Sequence, residues 1–173
     1  GQTWVVDADI KGYFDNIPQD RLMALIHQRI SDGKLLTLIE AFLNQGVMES
    51  GRHWQPTGKG TPQGAVLSPL LANLYLHPLD QLAERLGWRM TRYADDFIVQ
   101  CATREEAETA LRTIREWMES AGLTLHPEKT RIVDATTRGG FDFLGWHFER
   151  GFKWPRDKSL RRLRDCIREE TCR

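Results

Sequence analysis

Trp88-Arg89-Met90-Thr91-Arg92-Tyr93-Ala94-Asp95-Asp96-Phe97-Ile98-Val99-Gln100-Cys101-Ala102 reads as two strand-like runs around Ala94, Asp95 and Asp96, a short turn that makes a hairpin with carboxylates at its tip. The clearest helix of the chain follows it directly. Thr103 and Glu106 have capping-box spacing, Ala107, Ala110, Leu111, Ile114, Trp117, Met118 and Ala121 form an apolar stripe, and Gly122 supplies the stop. Far upstream, Trp4 to Ile10 alternates, with Trp4, Val6, Ala8 and Ile10 on one side and Val5, Asp7 and Asp9 on the other. That pattern predicts a strand with one core face and two aspartates on its opposite face.

Between the strand and the hairpin, Pro18 stands at a first helical position ahead of Leu22, Leu25, Ile26 and Ile30. A second helix runs through Leu35, Leu38, Ile39 and Phe42 and stops near Gly46. Residues 47–64 are rich in Gly, Pro and polar groups and predict a loop or short hairpin before a long helix from about Ala65 to Leu86. Beyond Gly122, the runs Leu123 to Leu125, Thr130 to Ala135 and Phe141 to Phe148 read as strands, and a basic helix around Leu160, Leu163 and Ile167 closes the chain. Without the two inserted helices at about 18–45, the order is strand, helix, hairpin, helix, strand. This is the split βαβ order of a ferredoxin-like α+β domain, an antiparallel sheet with helices on one face. The layout serves many functions, so chemistry must come from the site.

At 173 residues the chain can bury one good core, and its composition is that of an ordinary globular domain. No apolar run reaches membrane-spanning length and the N-terminus lacks a signal-peptide pattern, so no membrane is expected and the cytoplasm is the default compartment. Cys101, Cys166 and Cys172 have neither disulfide-framework nor zinc-ligand spacing. Net charge is zero, which alone argues against a self-sufficient nucleic-acid binder. The average conceals an asymmetry: residues 151–173 hold eight Lys/Arg against four Asp/Glu, and residues 1–150 hold sixteen against twenty.

In a split βαβ sheet the first strand lies beside the hairpin, so Asp9 should meet Asp95 and Asp96 on one exposed surface. Three carboxylates there call for a cation, because clustered like charges raise one another's pKa, whereas hard divalent ions such as Mg²⁺ favour oxygen ligands shared with substrate phosphates. Two ions about 3.5–4 Å apart suit in-line phosphoryl transfer.

Three segments in order carry a family resemblance: Val6-Asp7-Ala8-Asp9-Ile10-Lys11-Gly12-Tyr13-Phe14-Asp15-Asn16-Ile17, Gly60-Thr61-Pro62-Gln63-Gly64, and Tyr93-Ala94-Asp95-Asp96. They resemble successive motifs of reverse transcriptases. Ser68-Pro69-Leu70-Leu71-Ala72-Asn73-Leu74-Tyr75-Leu76-His77-Pro78-Leu79-Asp80 is more similar to bacterial group II intron reverse transcriptases, the intron-encoded maturases, than to retroviral ones, and Phe141-Asp142-Phe143-Leu144-Gly145 resembles a primer grip. The similarity runs through almost the whole chain.

The resemblance implies a polymerase palm over residues 1–150, with a basic linker and first thumb helix over 151–173. Asp9 and Asp95 would hold two Mg²⁺ ions, with Mn²⁺ as a substitute, Asp96 would assist, and the Ile10 carbonyl would complete the shell. Phe14 would sit under the incoming sugar and exclude a 2′-hydroxyl. Gln63 and Gly64 would lie near the templating pair, at a helix start whose free N–H groups can face phosphate or template backbone. Lys129 would protonate or neutralise the pyrophosphate leaving group. Phe143, Leu144 and Gly145 would form the primer grip. The partners implied are an RNA template, a DNA primer, a dNTP and an intron RNA. Fingers and most of the thumb are expected to lie outside these residues, so the chain alone is expected to show little or no DNA synthesis. Retron and CRISPR-associated reverse transcriptases stay open as lineages, and a non-catalytic RNA-binding maturase scaffold stays open as a role. A nucleotide cyclase of palm topology would need a Gly-Gly-acidic-acidic-Phe hairpin in place of Tyr93-Ala94-Asp95-Asp96.

Overall fold

Trp4–Asp9 forms the predicted strand (β1), and the computed structural model, which describes residues 1–44, 47–49, 53–55, 58–62 and 65–171, follows it with three helices. These are α1 (Tyr13–Asn16), α2 (Gln19–His27) and α3 (Gly33–Leu43). A small antiparallel hairpin, β2 (Val47–Glu49) with β3 (His53–Gln55), precedes the long helix α4 (Ser68–Arg85). Then come β4 (Arg89–Tyr93), β5 (Asp96–Cys101), α5 (Arg104–Ser120), β6 (Arg131–Asp134), β7 (Phe141–Phe143), β8 (Trp146–Glu149), β9 (Phe152–Pro155) and α6 (Asp157–Thr171). The chain forms two compact units. The first comprises Gly1–Asp9, Trp88–Arg112 and Pro127–Arg173, the second Ile10–Gly87 and Thr113–His126.

The first unit is built on an antiparallel sheet of order β4-β5-β1-β6. With helices between its first and second strands in chain order and α5 between its third and fourth, this is the ferredoxin-like arrangement that the sequence predicts. Val6, Ala8, Phe97 and Val99 on one sheet face are fully buried. The other face departs from the one-core-face expectation. Val5 and Ile98, which share the side of Asp7 and Asp9, are buried against Phe141 and Phe143 of a three-stranded sheet, β7-β8-β9, with Val133, Ala135 and Phe148 around them. Each such side chain taken from water contributes about 1.5–3 kcal/mol, enough to hold the small sheet on the large one. Phe141 and Phe148 stack across the β7-β8 pair at 5.1 Å.

The run Phe141 to Phe148, expected as one strand, is instead a hairpin. Leu144 and Gly145 both have positive φ, 49° and 83°, which is what a two-residue loop needs to follow strand twist. Strand β9, inside the expected basic linker, pairs with β8 and completes this sheet.

In the second unit, α2 begins at Gln19, with Pro18 one residue outside it as N-cap. Helix α3 is capped by Asp32, whose carboxylate accepts the N–H groups of Lys34 and Leu35. Its buried face is Leu36, Ile39 and Leu43, while Leu35 and Leu38 face out, so the expected stripe is rotated by one position. Helix α4 starts at Ser68 rather than Ala65, with Pro69 in its first turn. Gly46, the expected stop of α3, lies outside the described residues. Helix α5 has both predicted ends. The Thr103 hydroxyl accepts the Glu106 N–H, the Glu106 carboxylate accepts the Ala102 N–H, and at the far end Gly122 (φ +70°) and Leu123 donate to the Glu119 and Met118 carbonyls.

Candidate active site

Strand register brings the carboxylates together. Asp9, the last residue of β1, is paired with Asp96, the first of β5, and Asp95 occupies the two-residue turn before it. Directly opposed residues of an antiparallel pair have Cα atoms roughly 4.5–5.5 Å apart, so the two side chains project side by side from one face. The turn is tight because Ala94 takes a left-handed φ of 54°, a conformation that costs a non-glycine residue roughly 1 kcal/mol. The Arg92 guanidinium donates to the Ala94 carbonyl at 2.9 Å and braces it.

Lys129, from the segment leading into β6, donates its ammonium to Asp9 Oδ2. One pleat back, Arg131 Nε donates to Asp7 Oδ2 at 3.1 Å, across the register pair Asp7–Arg131. Two acids two residues apart on β1 thus meet two bases two residues apart, Arg131 at the start of β6 and Lys129 in the segment before it.

The electrostatics record the crowding. Burial first, then the charges of Asp7, Asp9 and Asp95, push the Asp96 carboxyl up to about 6. Burial also raises Asp95, with the charge of Asp9 adding to it. Asp7 is raised by burial, an effect that Arg131 partly offsets. The hydrogen bond to Asp9, and then the charge of that residue, raise the Lys129 ammonium.

The donor set is all-carboxylate oxygen, the chemistry that hard divalent ions prefer, and it is short of positive charge. Among the described residues, however, no three acidic, histidine or cysteine side chains stand close enough to form a ready metal cage. In their place the Lys129 ammonium supplies the cation that touches Asp9.

Of the other expected site residues, Phe143 is buried as an anchor of the small core, Leu144 is exposed at the hairpin tip, and the Gly145 carbonyl accepts the Arg156 N–H and the Ser159 hydroxyl, each at 3.0 Å. Ile10 and Phe14 belong to the second unit. There Ile10 bridges Leu125, and the half-buried Phe14 meets Tyr13 edge to face at 5.6 Å. The Phe14 carbonyl accepts the Thr61 N–H at 2.7 Å, and the Gly60 N–H bonds the Ile17 carbonyl at 2.8 Å, so the Gly60 loop is laced to the Phe14 turn. Gln63 and Gly64 lie outside the described residues, as does Cys172. Cys101 is buried and Cys166 exposed.

Two features escaped the sequence reading. One is the Asp7–Arg131 pair, whose only sequence signal is the matching two-residue spacing of acids and bases. The other is a recess of about 330 Å³ on the outer face of the small sheet, lined by Asp142, His147, Trp154, Arg156, Asp157 and Lys158. Of its two acids, Asp142 is already satisfied, bonding both His147, at 2.7 Å, and Arg156, at 3.0 Å.

An antiparallel α+β sheet bearing paired aspartates at a hairpin tip, with a third on the adjoining strand, defines a polymerase-type palm. The chain belongs to the reverse transcriptase family: the family model described as "Reverse transcriptase (RNA-dependent DNA polymerase)" matches residues 1–148. It is 45% identical over 98 residues to the group II intron-encoded protein LtrA of Lactococcus lactis subsp. cremoris, covering 57% of this chain and 16% of that protein. It is 30% identical over 177 residues to protein YkfC of Escherichia coli (strain K12), covering 82% and 46%, and 29% identical over 158 residues to the retron Mx162 reverse transcriptase of Myxococcus xanthus, covering 80% and 33%. The chain therefore spans less than half the length of each of these relatives. Its fold matches that of telomerase from Candida albicans, solved in complex with a TWJ fragment of telomeric RNA, with a TM-score of 0.71 at 14% identity over 97% of this chain and 34% of that one. No helix among the described residues is long and apolar enough to cross a membrane.

Proposed function

We propose that this chain is the catalytic palm of an RNA-directed DNA polymerase that joins a deoxynucleotide to a primer 3′-hydroxyl on an RNA template. The observation that carries the reading is the Asp9–Asp96 register pair with Asp95 on its turn and Lys129 bonded to Asp9. Asp9, Asp95 and Asp96 would hold divalent ions, Mg²⁺ or Mn²⁺, which when bound make the hydroxyl a better nucleophile and offset charge on the phosphates. Lys129, its ammonium favoured by the hydrogen bond to Asp9 and by the charge of that residue, would stay charged at neutral pH and donate a proton to a leaving pyrophosphate. Leu144 and Gly145, presented at a hairpin tip, would hold the primer end, and Phe14 would select the deoxy sugar. Helix α6 (Asp157–Thr171) would begin a thumb whose arginines track the duplex backbone.

The 45% identity to a group II intron-encoded protein favours that lineage over the retron one, and with it an intron RNA partner and a cytoplasmic setting. The test is primer extension on an RNA template by the longest natural chain that carries these residues. Asp95→Asn should reduce synthesis to background with RNA binding retained. Synthesis at an undiminished rate would end the assignment. The 173-residue chain by itself should extend a primer little or not at all.

A further inference from the structure

The face of β1 that bears Asp9 carries one carboxylate more than the site uses. Asp7 lies two residues away, about 7 Å along the strand, and points to the same side. It is the more enclosed of the two, with its side chain 13% exposed against 21% for Asp9. Its cross-strand partner on β5 is Ile98, which is buried with Val5 under Phe141 and Phe143. A cation drawn onto Asp7 would therefore sit against the small apolar core, a full pleat from the Asp95 turn. Among the described residues, the Arg131 guanidinium is bonded to Asp7 at 3.1 Å from the neighbouring strand and offsets its charge at close range.

We propose that Arg131 is a positioning residue: by pairing with Asp7 it withdraws that carboxylate from cation binding and confines a divalent ion to Asp9, Asp95 and Asp96 at the hairpin tip. This rests on the active-site reading above. The pair does more than neutralise. Its bond joins β1 to β6 one pleat behind the Lys129–Asp9 contact, so Arg131 and Lys129 each have a fixed acid and neither is left to exchange between them.

Mn²⁺ binding to the 173-residue chain tests this, read by electron paramagnetic resonance of the free ion and by water-proton relaxation of the bound ion. Arg131→Met should bind Mn²⁺ about tenfold more tightly, because an uncompensated carboxylate is added to the cluster. Arg131→Gln, which keeps a hydrogen bond to Asp7 without the charge, should tighten binding in the same direction and stands in if the methionine variant does not fold. Arg131→Lys should return wild-type affinity, Asp7→Asn alone should not tighten binding, and Asp7→Asn combined with Arg131→Met should lie within about twofold of wild type if the effect runs through Asp7. Wild-type or weaker affinity in both uncharged Arg131 variants overturns the proposal, as does tight binding that survives in the double variant. A wild-type chain whose Mn²⁺ binding is absent, or is indifferent to Asp95→Asn, would overturn the active-site reading as well, which separates the two failures.

Discussion

Replacing Asp96 by asparagine should make the metal-free chain more stable, and the gain should depend on pH. The Asp96 carboxyl is raised from 3.8 to about 6, first by burial and then by Asp7, Asp9 and Asp95. A carboxyl whose folded pKa exceeds its unfolded one holds its proton more firmly when folded. Stability is therefore untouched below about pH 4, falls as pH rises toward 6, and stays low above it. The full linkage over two units would be about 3 kcal/mol, but the side chain is only half-buried and its charge partly screened, so about 1–1.5 kcal/mol is the expected penalty at pH 8. Asparagine is close to isosteric and cannot ionise. In EDTA at pH 8, Asp96→Asn should melt roughly 2–4 °C above wild type, and the gap should narrow steadily as the pH is taken down toward 4. Added Mg²⁺ should raise wild type more than the variant, because the ion relieves the same repulsion. A variant that melts below wild type at pH 8, or a gap that does not change with pH, would show that the carboxylates are not crowded as described.

Other perturbations read different parts of the chain. Gly60 has φ +82°, and a Cβ there would lie 2.7 Å from the Phe14 carbonyl oxygen, so Gly60→Ala should cost about 2–3 kcal/mol in urea unfolding. Phe14→Ala should leave deoxynucleotide incorporation measurable in the longest natural chain but relax exclusion of ribonucleotides by at least about tenfold, scored by competitive incorporation. Leu144 pays for its left-handed φ of 49°, so Leu144→Gly should raise stability by roughly 0.5–1 kcal/mol while raising the KM for primer.

How much of this was legible in the sequence follows from the range of each signal. The ends of α5 could be read because Thr103, Glu106 and Gly122 act within a few residues of themselves. The phase of α3 could not: Leu35, Leu36, Leu38, Ile39, Phe42 and Leu43 offer two stripes one position apart, and only packing chooses between them. The β7-β8 turn stayed hidden because leucine is a poor marker of positive φ, so Gly145 alone announced it, inside a run of aromatic residues that reads as unbroken strand. That miss concealed a second one. With 141–148 taken as one strand and β9 unseen, nothing was left to cover Val5, and the Asp7 side of β1 looked open. Yet the uninterrupted Phe97-Ile98-Val99 was the mark of a strand buried on both faces. The aspartates were legible because topology alone makes β1 and β5 neighbours, and their identities follow from parity. The Asp7–Arg131 rung needed the β1-β6 register as well, which no local pattern sets. It is this register that decides which of the two acids on β1 is left for a cation, so the finest feature of the site depends on the longest-range contact in the sheet.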